Sequence, residues 1–206
     1  MLKRTFDLIL ALLTLSLLLP LFLIIAAFIR AQTPGPIFYR GVRTGLHGKP
    51  FRIFKFRTMV VNAEKMGGPS TALNDPRLTP IGKILRKYKL DELPQLINII
   101  RGEMSVVGPR PQVQKYTNAY MDEEKIILTV RPGLTDYASI KFINLDSILG
   151  DEKVDEKYIR EIEPKKNRLR MKYAKEHSLW IDCKILFLTA LQFLRIPSLW
   201  NTKSSD

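Results

Sequence analysis

The longest apolar run, Leu8 to Ile29, has 22 residues and no charge. At about 1.5 Å rise per residue it is long enough to cross a bilayer. Pro20 stands in its middle, where it removes an N–H and crowds the carbonyl of Ser16, so a kink is predicted there. The hydroxyls of Thr14 and Ser16 lie within a turn of the break and can serve the disturbed backbone. Lys3 and Arg4 precede the run and Arg30, Arg40 and Arg43 follow it, so positive charge selects no orientation. Both flanks then read as cytoplasmic. The prediction is a re-entrant helix–kink–helix that dips into one leaflet, with a straight or mildly kinked span as the alternative. A cleaved signal peptide fits less well, because no small-residue cleavage site follows and Arg30 comes directly after.

Beyond this run the periodicities change. Thr33-Pro34-Gly35-Pro36 stops a helix, and Ile37 to Arg40 reads as a short strand. Turn residues at 45–50 lead to Phe51–Arg57, where apolar and basic positions alternate, so the two stretches form a strand pair. Its lysines and arginines are either a solvated edge or an anion site. Residues 45–49 lack the glycine–lysine–hydroxyl end of a P-loop. A loop at 62–75 containing Gly67-Gly68-Pro69 has the character of a lid. Thr79-Pro80 is an N-cap and first helical residue, and Ile81, Ile84, Leu85 and Tyr88 recur at helical spacing beside Lys83, Arg86, Lys87 and Lys89. Such a basic amphipathic helix lies on an anionic membrane surface or points an arginine into a phosphate site.

Leu93, Leu96, Ile97 and Ile100 predict a helix from Asp91 to Arg101 that ends near Gly102. Further on, a charged stretch through Lys157 reads as a solvated insertion. Tyr158 to Lys175 reads as a helix interrupted at Pro164, with Lys165, Lys166, Arg168, Arg170 and Lys172 as a membrane-facing surface. Trp180 to Leu194 is too short to span and reads as a core or interfacial helix, with Trp180 and Trp200 suited to headgroup level. The fold class is therefore helix-rich α+β, with a re-entrant membrane element over residues 1–31, amphipathic interfacial helices, and a small β-hairpin or sheet within 32–206.

Composition narrows the partners. With 33 basic and 20 acidic residues among 206, the net charge is +13, so an anionic partner is expected: lipid headgroups, a phosphorylated substrate or nucleic acid. Basic residues bracket the apolar run, which places membrane and phosphate ahead of nucleic acid. One cysteine, Cys183, excludes an internal disulfide, and two scattered histidines, His47 and His177, do not make a zinc site. Any metal would be hard and oxygen-bound.

The candidate chemistry is Asp91-Glu92, followed by Gly108-Pro109-Arg110-Pro111. Asp91 can serve simply as an N-cap and Glu92 as a favourable first-turn acid. Adjacent helical residues point about 100° apart, so two such carboxylates take different tasks, one attacking or binding metal while the other orients or takes a proton. A carboxylate at a helix start would be held ionised by the dipole, suiting a nucleophile toward phosphorus or a Mg²⁺ ligand.

Phe54-Lys55-Phe56-Arg57-Thr58-Met59, Asp75-Pro76-Arg77, Leu90-Asp91-Glu92-Leu93-Pro94-Gln95-Leu96, Gly102-Glu103-Met104-Ser105, Gly108-Pro109-Arg110-Pro111 and Arg131-Pro132-Gly133 together resemble the bacterial sugar transferase family, the small monotopic phosphoglycosyl transferases. The resemblance runs to about Leu194. It implies transfer of a sugar 1-phosphate from a UDP-sugar to a polyprenyl phosphate such as undecaprenyl phosphate, with release of UMP. It also implies Mg²⁺, a covalent aspartyl intermediate, and a place at the cytoplasmic face of the bacterial inner membrane with both termini cytoplasmic. Carried over by position, Asp91 is the nucleophile and Glu92 its partner in metal or proton handling, both being metal ligands. Lys55, Arg57, Arg86, Arg110, Pro111 and Arg131 form the substrate-binding set. Two departures stand out: Leu19 precedes Pro20 where the family often has serine, and Thr135-Asp136-Tyr137-Ala138-Ser139 replaces a threonine–glycine run in a region bearing on sugar choice. The competing class is a non-catalytic membrane module that binds a phosphorylated lipid or nucleotide, which would leave Asp91-Glu92 without a task.

Overall fold

A computed structural model describes residues 2–63, 66, 75–143 and 158–194. The centre of the expected lid, the insertion through Lys157 and Trp200 lie outside them. The protein is helix-rich, with a few two- and three-residue strands.

Helix α1 runs from Leu2 to Gln32 with Pro20, the predicted kink position, inside it. It is long and apolar enough to cross a membrane. Asp7, Ala11, Phe22, Ile25 and Ile29 form one buried stripe at helical spacing, and Leu12, Leu13, Leu17, Leu23, Ile24 and Phe28 are exposed on the rest. The stripe enters two apolar cores: Ala11 packs with Leu96, Ile99, Met104 and Tyr173, while Phe22, Ile25 and Ile29 pack with Phe56 and Leu85. Residues 1–31 thus share their cores with the remainder.

Polar contacts fasten both ends of α1. Lys3 Nζ donates to Asp182 at 2.5 Å and to the Val107 carbonyl at 3.1 Å. Buried Asp7 accepts from Ser105 Oγ at 2.8 Å and from the Val106 amide at 3.0 Å. At the far end Arg30 donates to the Gly35 carbonyl, and Gln32 Oε1 accepts the Ile81 amide. Both ends of a 31-residue helix therefore rest on one body.

Strands β1 (Phe38–Tyr39), β2 (Val42–Thr44), β3 (Pro50–Arg52) and β4 (Lys55–Phe56) form a single antiparallel hairpin in one register, β1 with β4 and β2 with β3. His47, with φ of 54°, turns it. Helix α2 (Pro80–Lys87) starts as predicted, with Thr79 Oγ1 accepting the Gly82 amide at 3.0 Å. The helix predicted over Asp91–Arg101 is shorter: a 3-10 turn at Leu90–Glu92 precedes α3 (Gln95–Ile100), and Pro94 sits at the N-cap of α3. Pro94 has no N–H to contribute, so regular helix begins after it.

The sequence reading had no parallel pair, yet β5 (Ser105–Val107) lies parallel to β6 (Gly133–Thr135). Their junction has no room for side chains: a Cβ on Gly133 would meet the Gly108 nitrogen at 2.1 Å. A short α4 (Gln114–Thr117), a 3-10 segment (Asp122–Thr129), and helices α5 (Tyr137–Lys141), α6 (Glu163–Glu176) and α7 (Leu179–Leu194) follow among the described residues. A π-turn at Tyr158–Ile162 runs into α6, and Pro164 falls in its first turn. The expected membrane-facing surface on α6 is only partly so. Lys165, Arg168 and Lys172 are exposed, but Lys166 and Arg170 are buried, Arg170 donating to Glu163 and Asn167. Trp180 is 79% exposed on α7.

Candidate active site

Four segments converge on the carboxylates. Strand β4 supplies Lys55, α2 supplies Arg86, the 3-10 turn carries Asp91 and Glu92, and the segment after β5 brings Arg110. Lys89, left-handed at φ 57°, makes the tight reversal from α2 into that turn. Gly108 allows the backbone before Arg110 to lie against Arg131 and Gly133.

The two carboxylates are held differently. Lys55 Nζ stands 2.9 Å from Glu92 Oε1 and 3.9 Å from Asp91 Oδ2. Arg110 donates Nη1 to Glu92 Oε2 at 2.7 Å and Nη2 to Glu92 Oε1, a two-nitrogen grip. Arg86 Nε donates to Thr58 Oγ1 at 3.2 Å, and its charge is felt at Asp91.

The electrostatics follow. Burial pushes the Asp91 carboxyl above its ordinary range, with Lys55, Arg86 and Arg110 opposing and Glu92 adding to the rise. Burial acts on Glu92 in the same sense, but Arg110 and then Lys55 outweigh it and hold Glu92 well below the usual range. Glu92 in turn raises Arg110. The expectation that Asp91 begins a helix, and so sits at its dipole, is corrected: the residue lies in a 3-10 turn ahead of α3. Asp91 lies inside a three-residue 3-10 turn whose N-cap is Lys89, and burial is the largest influence on its carboxyl.

Lys55, Arg86 and Arg110 are thus brought to Asp91 and Glu92. Arg57 is not: it is buried and donates to the carbonyls of Thr33 and Pro34 and to Thr33 Oγ1, bracing the connection after α1. Arg131 donates to the Gly102 carbonyl at 3.0 Å. Pro111 lines a pocket beside Arg110 together with Thr44, Tyr120, Leu128 and Pro132.

Two residues behind Arg110 are not among those the sequence singled out for the site. Asp136 is fully buried and caps α5 through the Ser139 amide at 2.6 Å; its charge reaches Arg110. The Asp-x-x-Ser spacing after a short apolar stretch was the available signal. Burial, with Arg170 and Arg110 nearby, pushes Lys166 down to about 8; nothing in a lysine-rich helix marks that one lysine as buried.

The donor set here is hard oxygen, and among the described residues no group of three or more histidine, cysteine or acidic side chains forms a metal cage. Two carboxylates fit Mg²⁺, which takes one or two such ligands and completes its shell with phosphate oxygens and water. Both oxygens of Glu92 are engaged by cations, so Asp91 is the better placed of the two.

A family model described as bacterial sugar transferase matches residues 1–196. The chain is 37% identical over 199 residues to a UDP-glucose:undecaprenyl-phosphate glucose-1-phosphate transferase of Escherichia coli, covering 93% of this chain and 40% of that protein. It is 36% identical to an uncharacterized sugar transferase of Bacillus subtilis, EpsL, covering 94% of this chain and 87% of that one. A UDP-glucose:undecaprenyl-phosphate glucose-1-phosphate transferase of Caulobacter vibrioides is 36% identical, with 98% of this chain and 71% of that protein covered. The chain thus spans well under half of the Escherichia coli relative.

Proposed function

Because this chain belongs to the bacterial sugar transferase family, we propose that it transfers a sugar 1-phosphate from a UDP-sugar to a polyprenyl phosphate such as undecaprenyl phosphate, releasing UMP and beginning glycan assembly. The observation that carries this reading is the convergence of Lys55, Arg86 and Arg110 on two adjacent, unequal carboxylates. Phosphoryl transfer needs in-line placement and charge neutralisation more than acid–base power.

Asp91 attacks the phosphorus that bears the sugar. A carboxylate–phosphorus bond forms, the bond to the bridging oxygen breaks, and UMP leaves with that oxygen. An oxygen of the polyprenyl phosphate then attacks the same phosphorus and displaces the Asp91 carboxylate, restoring the protein. Asp91 suits this because burial strips water from it and leaves it poorly stabilised as an anion, a reactive ground state. Lys55 and Arg86 offset charge as phosphate arrives. Glu92, held ionised, fixes Arg110 at the edge of the site, where the guanidinium orients the donor's phosphates. Asp91 would hold Mg²⁺, since Glu92 is committed to Arg110 and Lys55; when bound, that ion neutralises phosphate oxygens.

The exposed outer face of α1 lies in one leaflet, both ends return to the cytoplasmic side, and this depth lets a lipid phosphate reach Asp91. Contact of both ends of α1 with one body supports that arrangement. Anionic headgroups meet the basic surface at its rim. The experiment is UMP release from a panel of UDP-sugars with polyprenyl phosphate and Mg²⁺, comparing the parent with Asp91→Asn. Mass spectrometry after mixing with donor alone should find a sugar-phosphate on Asp91; equal activity in the two proteins would overturn the assignment.

A further inference from the structure

The reading above leaves the arginines of the hairpin without a task. Arg40 and Arg101 both stack on the buried Phe54 ring, their guanidinium carbons 3.4 Å and 4.8 Å from its centroid. Arg40 and Arg52 exchange long contacts of 3.4 Å with each other's carbonyls. Arg40 Nε is buried with no hydrogen-bond partner among the described residues. The one acid felt at Arg40 is Glu103, itself held by Asn98 Nδ2 at 2.7 Å. Three guanidiniums against one carboxylate repel one another, and the arrangement carries an unmet demand for negative charge.

Two further arginines border the same turn, but these are accounted for. Arg4 donates to the carbonyls of Ile99 and Ile100, and Arg131 to that of Gly102, so both are engaged by backbone carbonyls at the end of α3. Their value is positional. Arg4 belongs to the first turn of α1 and reaches the end of α3, so the cluster lies near the start of the helix whose other side exposes Leu2, Ile9, Leu12 and Leu13. Basic side chains at the rim of a membrane-embedded face lie at headgroup depth.

We infer that Arg40, Arg52 and Arg101 form a binding site for the phosphodiester of an anionic phospholipid, which docks the hairpin on the membrane. This rests on the membrane placement proposed above. Charge complementarity and the adjoining apolar face select a lipid over a soluble anion, because the acyl chains would lie against α1 while the phosphate meets the guanidiniums. Phe54 precedes Lys55 and its amide is held by Asn98 Oδ1 at 2.8 Å, so the bound headgroup would stiffen the strand that presents Lys55 to the carboxylates.

The test uses the full chain in mild detergent with equal amounts of phosphatidylglycerol and phosphatidylcholine, and counts retained lipid by native mass spectrometry. The parent should hold phosphatidylglycerol in preference, and Arg101→Gln, Arg52→Gln and Arg40→Gln should each lower that retention about fivefold. The lysine replacements should keep most of it, which separates lost charge from lost folding. Equal retention in parent and glutamine variants would overturn the site, as would complete displacement by equimolar inorganic phosphate, which would mark a soluble-anion site. UMP release is measured alongside. Its absence in the parent would count against the transferase reading, while the lipid comparison would still decide the site.

Discussion

Arg110 grips Glu92 with two nitrogens, Nη1 at 2.7 Å from Oε2 and Nη2 on Oε1. That grip makes the neighbouring acids unequal. One is held ionised by its partners, and the other is left to the cost of burial.

Asp91→Asn should abolish UMP release, by about 10³-fold or more, while raising the melting temperature at neutral pH. The folded pKa of Asp91 is raised, so its ionised form destabilises the fold above the ordinary value of 3.8, and asparagine removes that burden. Thermal melts beside the activity assay check both halves. A drop in stability would contradict the burial argument.

Glu92 should behave in the opposite sense. Its folded pKa is depressed, so its contribution to stability is complete above the ordinary value of 4.5 and is lost as pH falls below that toward the folded pKa. Glu92→Gln should be less stable than the parent at pH 7 and should lack this part of the acid limb. Melts recorded from neutral pH downward would show it as convergence of the two curves.

Asp7→Ala should cost about 2–3 kcal/mol, because it leaves the Ser105 hydroxyl and the Val106 amide buried without an acceptor. Replacing Ser105 by alanine in that background should cost little more, since the two changes remove one contact. A double-mutant cycle by denaturant or thermal unfolding in detergent measures the coupling.

Gly133→Ala should be damaging out of proportion to one methyl group, by about 3 kcal/mol or more, because its Cβ would meet backbone atoms of Gly108. Activity should fall with it, as Arg110 lies two residues beyond Gly108. Unfolding curves and UMP release should move together; an active, stable variant would mean the strands can part.

Thr5→Cys and Ala31→Cys, each in a Cys183→Ser background, should both be modified by an impermeant maleimide from the cytoplasmic side of sealed vesicles. Labelling of one from each side would establish a span.

Much of this was legible in the sequence, for local reasons. Thr79-Pro80 carries its own capping chemistry, and the alternation from Phe51 to Arg57 gave a hairpin partner for Ile37–Arg40. The carboxylate pair, Lys55 and Arg110 were likewise visible in the motifs, and Arg86 in the basic helix before them. What escaped depended on distant contacts. Asp7 flanks the apolar run with no local partner in the sequence, and Ser105, 98 residues away, makes it a buried anchor. Lys166 and Arg170 look like surface until Glu124, Glu163 and Asn167 enclose that face of α6. Arg57 sits in a motif with Lys55, yet its side chain turns away to Thr33 and Pro34. The burial of the turn that carries Asp91 is likewise something no local pattern records.

The double fastening of α1 has a consequence for membranes of differing thickness. A freely hinged anchor tilts or stretches to match the hydrocarbon around it. Here Lys3, Arg4 and Asp7 at one end and Gln32 at the other clamp the helix against the rest of the molecule. Under the proposed placement the helix acts as a keel: draught is set by the protein, and a thicker bilayer leaves Asp91 at the same height above the lipid.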